Sequence, residues 1–283
     1  MQIKKIKLNN KTEIPSMGLG TWQLTGSQCI YAVKKALELG YRHIDTAESY
    51  SNETEIVKAI KDFFKSSKIS REKLFITSKA WPDKLDYYGV LAACEQSLAR
   101  LETHYLDLYL LHWPSRNLNY KKIFKAFKIL YEKGKIKAFG VSNFTINHLK
   151  EVIPICKKLK LPLSVNQVEF HPLLYQKELL DFCNKNNIVI TAYCPLARGK
   201  ISENKLISEL ASRYKKTPEQ ISLKWLLEKN IVVIPKSSSE KHLKENLNLN
   251  FSLSKEDINK IDNITEHEGQ ERLIVPSFAE FDY

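Results

Sequence analysis

The sequence is short of cysteines, of long apolar runs and of glycine-rich phosphate loops, and each shortage removes a class of protein. Its five cysteines, Cys29, Cys94, Cys156, Cys183 and Cys194, are odd in number and widely separated. That excludes a paired disulfide framework and the close spacing of a zinc site, so reduced core thiols and no metal are expected. No stretch approaches the roughly 20 apolar residues of a membrane span. The opening residues alternate apolar and basic side chains as far as Leu8, unlike the continuous apolar core of a secretory signal. They read as an edge strand of a cytoplasmic protein. No Gly-x-Gly-x-x-Gly follows an apolar segment, so a Rossmann-type dinucleotide site lacks its fingerprint.

What is present fits one large core. The chain has 283 residues, 43% hydrophobic and 27% charged, and a single domain spanning 1–283 is expected. The net charge of +12 raises the question of an acidic partner, but the lysines are spread along the whole chain. In the densest run, 121–137, Ile123, Phe124, Phe127, Leu130 and Tyr131 mark one helical stripe, and Lys121, Lys125 and Lys128 mark the opposite face. This is a solvated outer helix, so no nucleic-acid or membrane partner is expected; the remaining use of positive charge is to draw in an anionic cofactor. No heptad or extended apolar surface pattern asks for an oligomer, and a monomer is expected.

Short apolar segments alternate with longer amphipathic ones. Strand-like runs fall at 17–20, 43–45, 74–79, 106–112, 138–142, 164–169, 189–193 and 231–235. Helical patterns lie near 28–39, 52–65, 87–102, 120–133, 145–157, 176–186, 205–228 and 240–248. Strands alternating with helices imply right-handed parallel crossovers, and eight such units predict a closed (β/α)₈ TIM barrel. Asn9-Asn10-Lys11 is a turn signal between two short runs, predicting an N-terminal β-hairpin that caps the barrel bottom.

In such a barrel the chemistry sits at the C-terminal strand ends. Asp45 closes the second strand, with Tyr50 in the next loop; Lys79 closes the third and His112 the fourth. A carboxylate there can hold a lysine ammonium, and the ammonium lowers the pKa of a neighbouring tyrosine toward neutrality. Each residue has an ordinary alternative: Asp45 as a helix cap, Lys79 in an exposed loop, His112 in the core, Tyr50 as one of 13 tyrosines. Their joint placement on adjacent strands outweighs those alternatives.

These segments resemble the aldo-keto reductase family over nearly the full length. The stretch from Gly40 to Glu53 is similar to its first signature, Lys79 sits in a Thr/Ser-Lys element and His112 in Leu-His-Trp-Pro. Gly140-Val141-Ser142-Asn143-Phe144, the Asn166 to Pro172 segment and Ile234-Pro235-Lys236-Ser237 match three further elements. Within the family, the short loops and Glu271-Arg272-Leu273 are most similar to the microbial diketogluconate and methylglyoxal reductase group.

The resemblance implies reduction of small aldehydes and ketones, including dicarbonyls and sugar-derived carbonyls. The hydride comes from NADPH and the proton from Tyr50, with Asp45, Lys79 and His112 in support. It places Ser142, Asn143 and Gln167 on the nicotinamide carboxamide, the Tyr193 ring against its face, and Leu196 and the backbone that follows near the pyrophosphate. Ala197 stands where glycine is common. A simpler reading of Asn143 is a helix N-cap. Lys236 and Ser237 are implied at the 2′-phosphate, and Glu245 and Asn246 at adenine. His242 replaces the more usual arginine, so NADH is expected to be accepted as well. Trp22, Trp81 and Trp113 are expected to wall the substrate pocket, and a C-terminal substrate loop carries Phe278, Phe281 and Tyr283. Two other readings use the same residues: a cofactor-binding regulatory barrel without turnover, and an aldolase with Lys79 as a Schiff base.

Overall fold

Apolar side chains at every second strand position divide the core in two. Phe75, Leu108, Leu110, Ala138, Val165 and Val232 pack into one small cluster with Leu8 and Ile14, while Ile76, Tyr109, Leu111, Phe139 and Val168 belong to the large cluster shared with the helices. Successive strand residues point to opposite faces, so the first set fills the inside of a barrel and the second its outer layer. The structure, a computed structural model, describes residues 3–83, 85–115, 117–279 and 281.

A hairpin of β1 (Lys5–Lys7) and β2 (Glu13–Pro15) pairs antiparallel. Asn9 Nδ2 donates to the Leu163 carbonyl at 2.7 Å and Asn10 Nδ2 to that of Lys137 at 2.8 Å. Both acceptors lie where barrel strands begin, so the hairpin closes the bottom. Eight parallel strands follow: β3 (Leu19–Gly20), β4 (His43–Asp45), β5 (Phe75–Ala80), β6 (Leu108–Leu111), β7 (Phe139–Ser142), β8 (Leu163–Glu169), β9 (Val189–Tyr193) and β10 (Val232–Val233), each paired with the next. The ring closes between its ends, where the Gly18 amide donates to the Val233 carbonyl at 2.9 Å and the Val233 amide to that of Ser16 at 2.9 Å. Gly20 is required at this seam, because a Cβ there would lie 2.6 Å from the Ile234 carbonyl oxygen.

The helices are α1 (Gly26–Leu39), α2 (Glu53–Ser66), α3 (Tyr87–Arg100), α4 (Tyr120–Glu132), α5 (Ile146–Leu159), α6 (Lys177–Lys185), α7 (Lys205–Tyr214), α8 (Pro218–Glu228), α9 (Glu240–Leu247), α10 (Lys255–Asp262) and α11 (Ile264–Glu268). The continuous helix expected over 205–228 is in fact two. Lys215 turns left-handed, and Thr217 begins a new helix by capping Gln220, with Pro218 in the first turn where its missing N–H is not needed. The first and last barrel strands are shorter than expected, because only part of each joins a ladder. Among the described residues, no helix is long and apolar enough to cross a membrane, and all five cysteines are free thiols. Met1, Gln2 and Tyr283, which entered the sequence expectations, lie outside the described residues.

Candidate active site

The alternation that fills the lower barrel with apolar groups changes character one layer up. Continuing from Phe75, Leu108, Ala138, Val165 and Val189 in steps of two brings Lys79, His112, Ser142, Gln167 and Tyr193 to the top of the interior. Tyr50 reaches the same place from the loop after β4. Asp45, Tyr50, His112, Ser142, Asn143, Gln167, Tyr193, Leu196 and Lys236 line one cavity of about 840 Å³, together with Trp22, Trp81 and Trp113. Lys79 lies just beneath it with no solvent exposure.

Lys79 organises the base of the cavity. Its Nζ donates to Asp45 Oδ1 at 2.6 Å, to the Thr46 carbonyl at 2.8 Å and to the Tyr50 hydroxyl at 3.2 Å. Asp45 therefore pairs with an ammonium instead of capping a helix, and its other oxygen accepts from Gln167 Nε2 at 2.7 Å. Burial alone would pull the Lys79 pKa down, but the charges and hydrogen bonds of Asp45 and Tyr50 together lift it above the ordinary lysine value. The lysine stays charged. Tyr50 departs from the sequence expectation of a lowered pKa: burial raises it, and the opposing Lys79 charge is the smaller effect, so the phenol holds its proton. Burial, aided by the Lys79 charge, pushes His112 well below its ordinary value and keeps the imidazole neutral. The Tyr50 and Trp81 rings meet the His112 ring edge-on, with centroids at 5.6 and 5.1 Å.

Beside this group, Asn143 adopts a left-handed backbone with φ of 64°. Thr145, not Asn143, caps α5. The Asn143 Nδ2 donates to the His112 carbonyl at 3.0 Å and to Ser142 Oγ at 3.1 Å, and its Oδ1 accepts from the Tyr193 hydroxyl at 2.8 Å. Ser142 Oγ donates to the Gln167 carbonyl at 2.8 Å. An amide, a hydroxyl and a second amide thus stand side by side with an aromatic ring across from them, a donor set suited to a carboxamide and the flat ring that bears it. Ala197 does take the conformation that favours glycine, with φ of 45°, next to Arg198 at 52°. Its amide, and that of Gly199, close the turn on the Cys194 and Leu196 carbonyls at 2.9 Å each.

Beyond Lys236, the chain enters α9. Ser237, His242, Glu245 and Asn246 do not line the cavity but continue from its rim: Ser237 is buried, His242 is exposed, and Glu245 is half-buried opposite Lys241 at 3.9 Å. Asn246 is buried, and its Nδ2 has no hydrogen-bond partner. A buried amide without an acceptor, on the helix into which Lys236 and the serines lead, fits the adenosine end of a dinucleotide.

Phe278 and Trp22 were expected at the pocket, whereas Ile274, Pro276 and Arg198 line it with no sequence signal of their own. Phe278 sits against both Trp81 and Trp113, each at 5.5 Å between centroids, and Ile274 and Pro276 join it. Trp22 lines the cavity at its rim, 42% exposed and under the Arg198 guanidinium at 5.2 Å. Glu48 accepts from the Trp81 amide and fixes the loop that carries that ring. Arg198 and Glu48 lie inside or beside quoted motifs, but which way their side chains turn depends on loops that local spacing does not fix.

The comparisons with known proteins agree with the barrel fold and the family resemblance. The sequence profile described as the Aldo/keto reductase family matches residues 16–266. A glyoxal reductase of Bacillus subtilis is 43% identical over 265 residues, covering 93% of each chain. A glycerol 2-dehydrogenase (NADP(+)) of Saccharomyces cerevisiae is 37% identical, over 99% of this chain and 96% of its own. The solved aldose reductase of Schistosoma japonicum superposes with a TM-score of 0.90 at 34% identity, over 96% of this chain and 94% of that one. A (β/α)₈ barrel whose upper layer holds a carboxylate, a charged lysine, a phenol and a neutral imidazole beside a hydrogen-bonded set of amide and hydroxyl groups belongs, on this agreement of sequence and shape, to the aldo/keto reductase family of NAD(P)H-dependent oxidoreductases.

Proposed function

We propose that this protein reduces small aldehydes and ketones, dicarbonyls among them, to alcohols with a preference for NADPH. The observation that carries the reading is the Lys79 ammonium, 2.6 Å from Asp45 and 3.2 Å from the Tyr50 hydroxyl, beneath a cavity walled by aromatic rings. Bound NADPH supplies the hydride that reduces the carbonyl carbon. Tyr50, protonated at neutral pH, gives its proton to the carbonyl oxygen, and the Lys79 charge steadies the phenolate left behind. The neutral His112 imidazole donates a hydrogen bond that orients that oxygen. Asp45 keeps Lys79 charged and in place. A retained proton on Lys79 also removes the free amine that a Schiff-base aldolase needs.

In this reading Ser142, Asn143 and Gln167 hold the nicotinamide carboxamide and Tyr193 covers the ring. Gln167 Nε2 is held by Asp45 at 2.7 Å, and Gln167 would have to share or exchange that bond to donate to a carboxamide. Leu196 lies along the pyrophosphate, Lys236 and Ser237 take the 2′-phosphate, and Glu245 and Asn246 the adenine. His242 beside that phosphate leaves room for NADH. Trp22, Trp81 and Trp113 shape the substrate side. The span 1–283 acts as one barrel domain, a cytosolic monomer, a setting that its free thiols fit.

The test is cofactor oxidation followed against a panel of small aldehydes, dicarbonyls and sugar-derived ketones, with Tyr50→Phe as the comparison. General acid catalysis is worth about 10²- to 10⁴-fold, so the variant should lose that much in kcat while keeping its NADPH affinity. A wild type that oxidises NADPH with no member of the panel refutes the function, and a Tyr50→Phe variant with full kcat refutes the proton donor.

A further inference from the structure

The inward residue at the top of β8 is an acid that the carbonyl chemistry does not use. Glu169 is fully buried, yet it does not line the cavity. Its Oε1 accepts from the Leu273 amide at 2.8 Å and from His171 Nε2 at 3.0 Å, and its Oε2 accepts from the Ile274 amide at 3.0 Å. Two consecutive backbone N–H groups of an irregular segment are therefore seated on one carboxylate. That segment is only half-buried and forms no helix or strand.

The tether lies a short way from the substrate side of the cavity. Ile274 lines the cavity directly, and four residues on, Phe278 packs edge-on against Trp81 and Trp113. Nearer the tether, the Glu271 amide donates to the Leu173 carbonyl at 2.8 Å and Arg272 Nη2 donates to Gln176 Oε1 at 3.1 Å, while Gln176 Nε2 donates to the Glu169 carbonyl at 2.7 Å. The anchors at 271 and 272 are partly exposed, whereas the carboxylate is dry. A charge-assisted bond out of water holds more firmly than one at the surface. Burial raises the Glu169 pKa, but His171 and the two backbone N–H groups outweigh it and hold the acid ionised.

We propose that Glu169 is a positioning residue for substrate recognition: its carboxylate fastens the C-terminal segment at Leu273 and Ile274 and so sets Phe278 as the third wall of the site between Trp81 and Trp113. The tether fixes how large a carbonyl the closed pocket accepts. The kinetic part of this inference rests on the carbonyl reductase reading; the tether itself does not.

Three variants test it in the full-length protein. Glu169→Gln keeps one acceptor and sets an NH₂ against the other backbone N–H. Leu273→Pro deletes one donor, together with the apolar contact that the Leu273 side chain makes with the core, and leaves Glu169 itself in place. Phe278→Ala removes the exposed ring that the tether is said to place. Hydrogen exchange at the Ile274 amide is expected to quicken about 10- to 100-fold in both tether variants while exchange in β8 stays slow, since bonds to charged groups are worth that factor. KM for small aldehydes should rise about tenfold in all three, with kcat and NADPH affinity within about twofold, and Glu169→Gln should add nothing to KM in the Phe278→Ala background.

Unchanged exchange at Ile274 in both folded tether variants overturns the proposal, as does a KM effect of Glu169→Gln that multiplies with that of Phe278→Ala. If Glu169→Gln fails to fold, Leu273→Pro decides alone. Should the wild type reduce no carbonyl, the reductase reading falls while the exchange measurement still decides the tether.

Discussion

Replacing Asp45 with Asn isolates the electrostatics on which the site depends. The substitution conserves shape and one oxygen acceptor but removes the negative charge, so the Lys79 ammonium, which has no solvent exposure, faces only neutral oxygens: the new amide, the Thr46 carbonyl at 2.8 Å and the Tyr50 hydroxyl at 3.2 Å. Removing one partner of a buried ion pair costs about 3–5 kcal/mol. For a chain of this size each kcal/mol lowers Tm by roughly 2–4 °C, so a fall of roughly 6–20 °C is expected near neutral pH. The loss should depend on pH in a direction that identifies its source. In the wild type Lys79 is held above its ordinary value, so its contribution is fully present below the unfolded lysine pKa and is lost only as pH rises through the higher folded one. In Asp45→Asn the largest upward influence is gone and burial dominates, which puts the folded pKa below the unfolded one. The unfolded state then binds the extra proton, and the variant gains up to about 1.4 kcal/mol per pH unit between those two pKa values. Thermal melts from pH 6 to 9 should show the deficit shrinking as pH rises. Adding Lys79→Met removes the stranded charge and should recover much of the stability but none of the activity. A deficit that is flat with pH, or a double variant as unstable as the two single losses summed, refutes the reasoning.

Two other substitutions probe the cofactor end and the barrel seam. His242→Arg adds a permanent charge on the exposed face of α9 beside Lys236 and Ser237, and it should tighten NADPH about tenfold while leaving NADH within about twofold, read by fluorescence titration; equal gains for both cofactors remove His242 from the phosphate site. Gly20→Ala sets a Cβ 2.6 Å from the Ile234 carbonyl, a backbone atom that cannot swing aside. Overpacking of this kind costs about 1–3 kcal/mol, so Tm should fall, and an unchanged melt means that the seam between β3 and β10 is looser than its hydrogen bonds indicate.

The legible part of this protein is the part governed by short periods. The alternation in Leu108 to Leu111 separates the barrel interior from its outer layer, and one further step along the face of Leu108 and Leu110 arrives at His112. That is why Asp45, Lys79 and His112 were readable as one group before any contact was known, since each stands at the end of a strand on the inward side; Ser142 and Gln167 were named only through the family resemblance. The helix expected over 205–228 failed for the converse reason. Its apolar spacing runs through Lys215 and Pro218, and the Thr217 capping box that ends it was there to be weighed against the periodicity. Charge balance was harder still. The sequence identified a lysine near Tyr50 and hence the direction of its effect, but whether that effect exceeds burial depends on how dry the site is, and burial wins. The C-terminal segment, with Phe278 in it, was named through the family resemblance alone, which does not say how it is held. Phe278 has no periodic neighbour to announce it, and its place is fixed by Glu169, 109 positions earlier in the chain, through bonds to backbone N–H groups that every residue but proline carries. A contact whose donor is the peptide group leaves no mark in side-chain sequence, so segments held in this way become visible only when the acid that holds them is seen buried and ionised with no catalytic task.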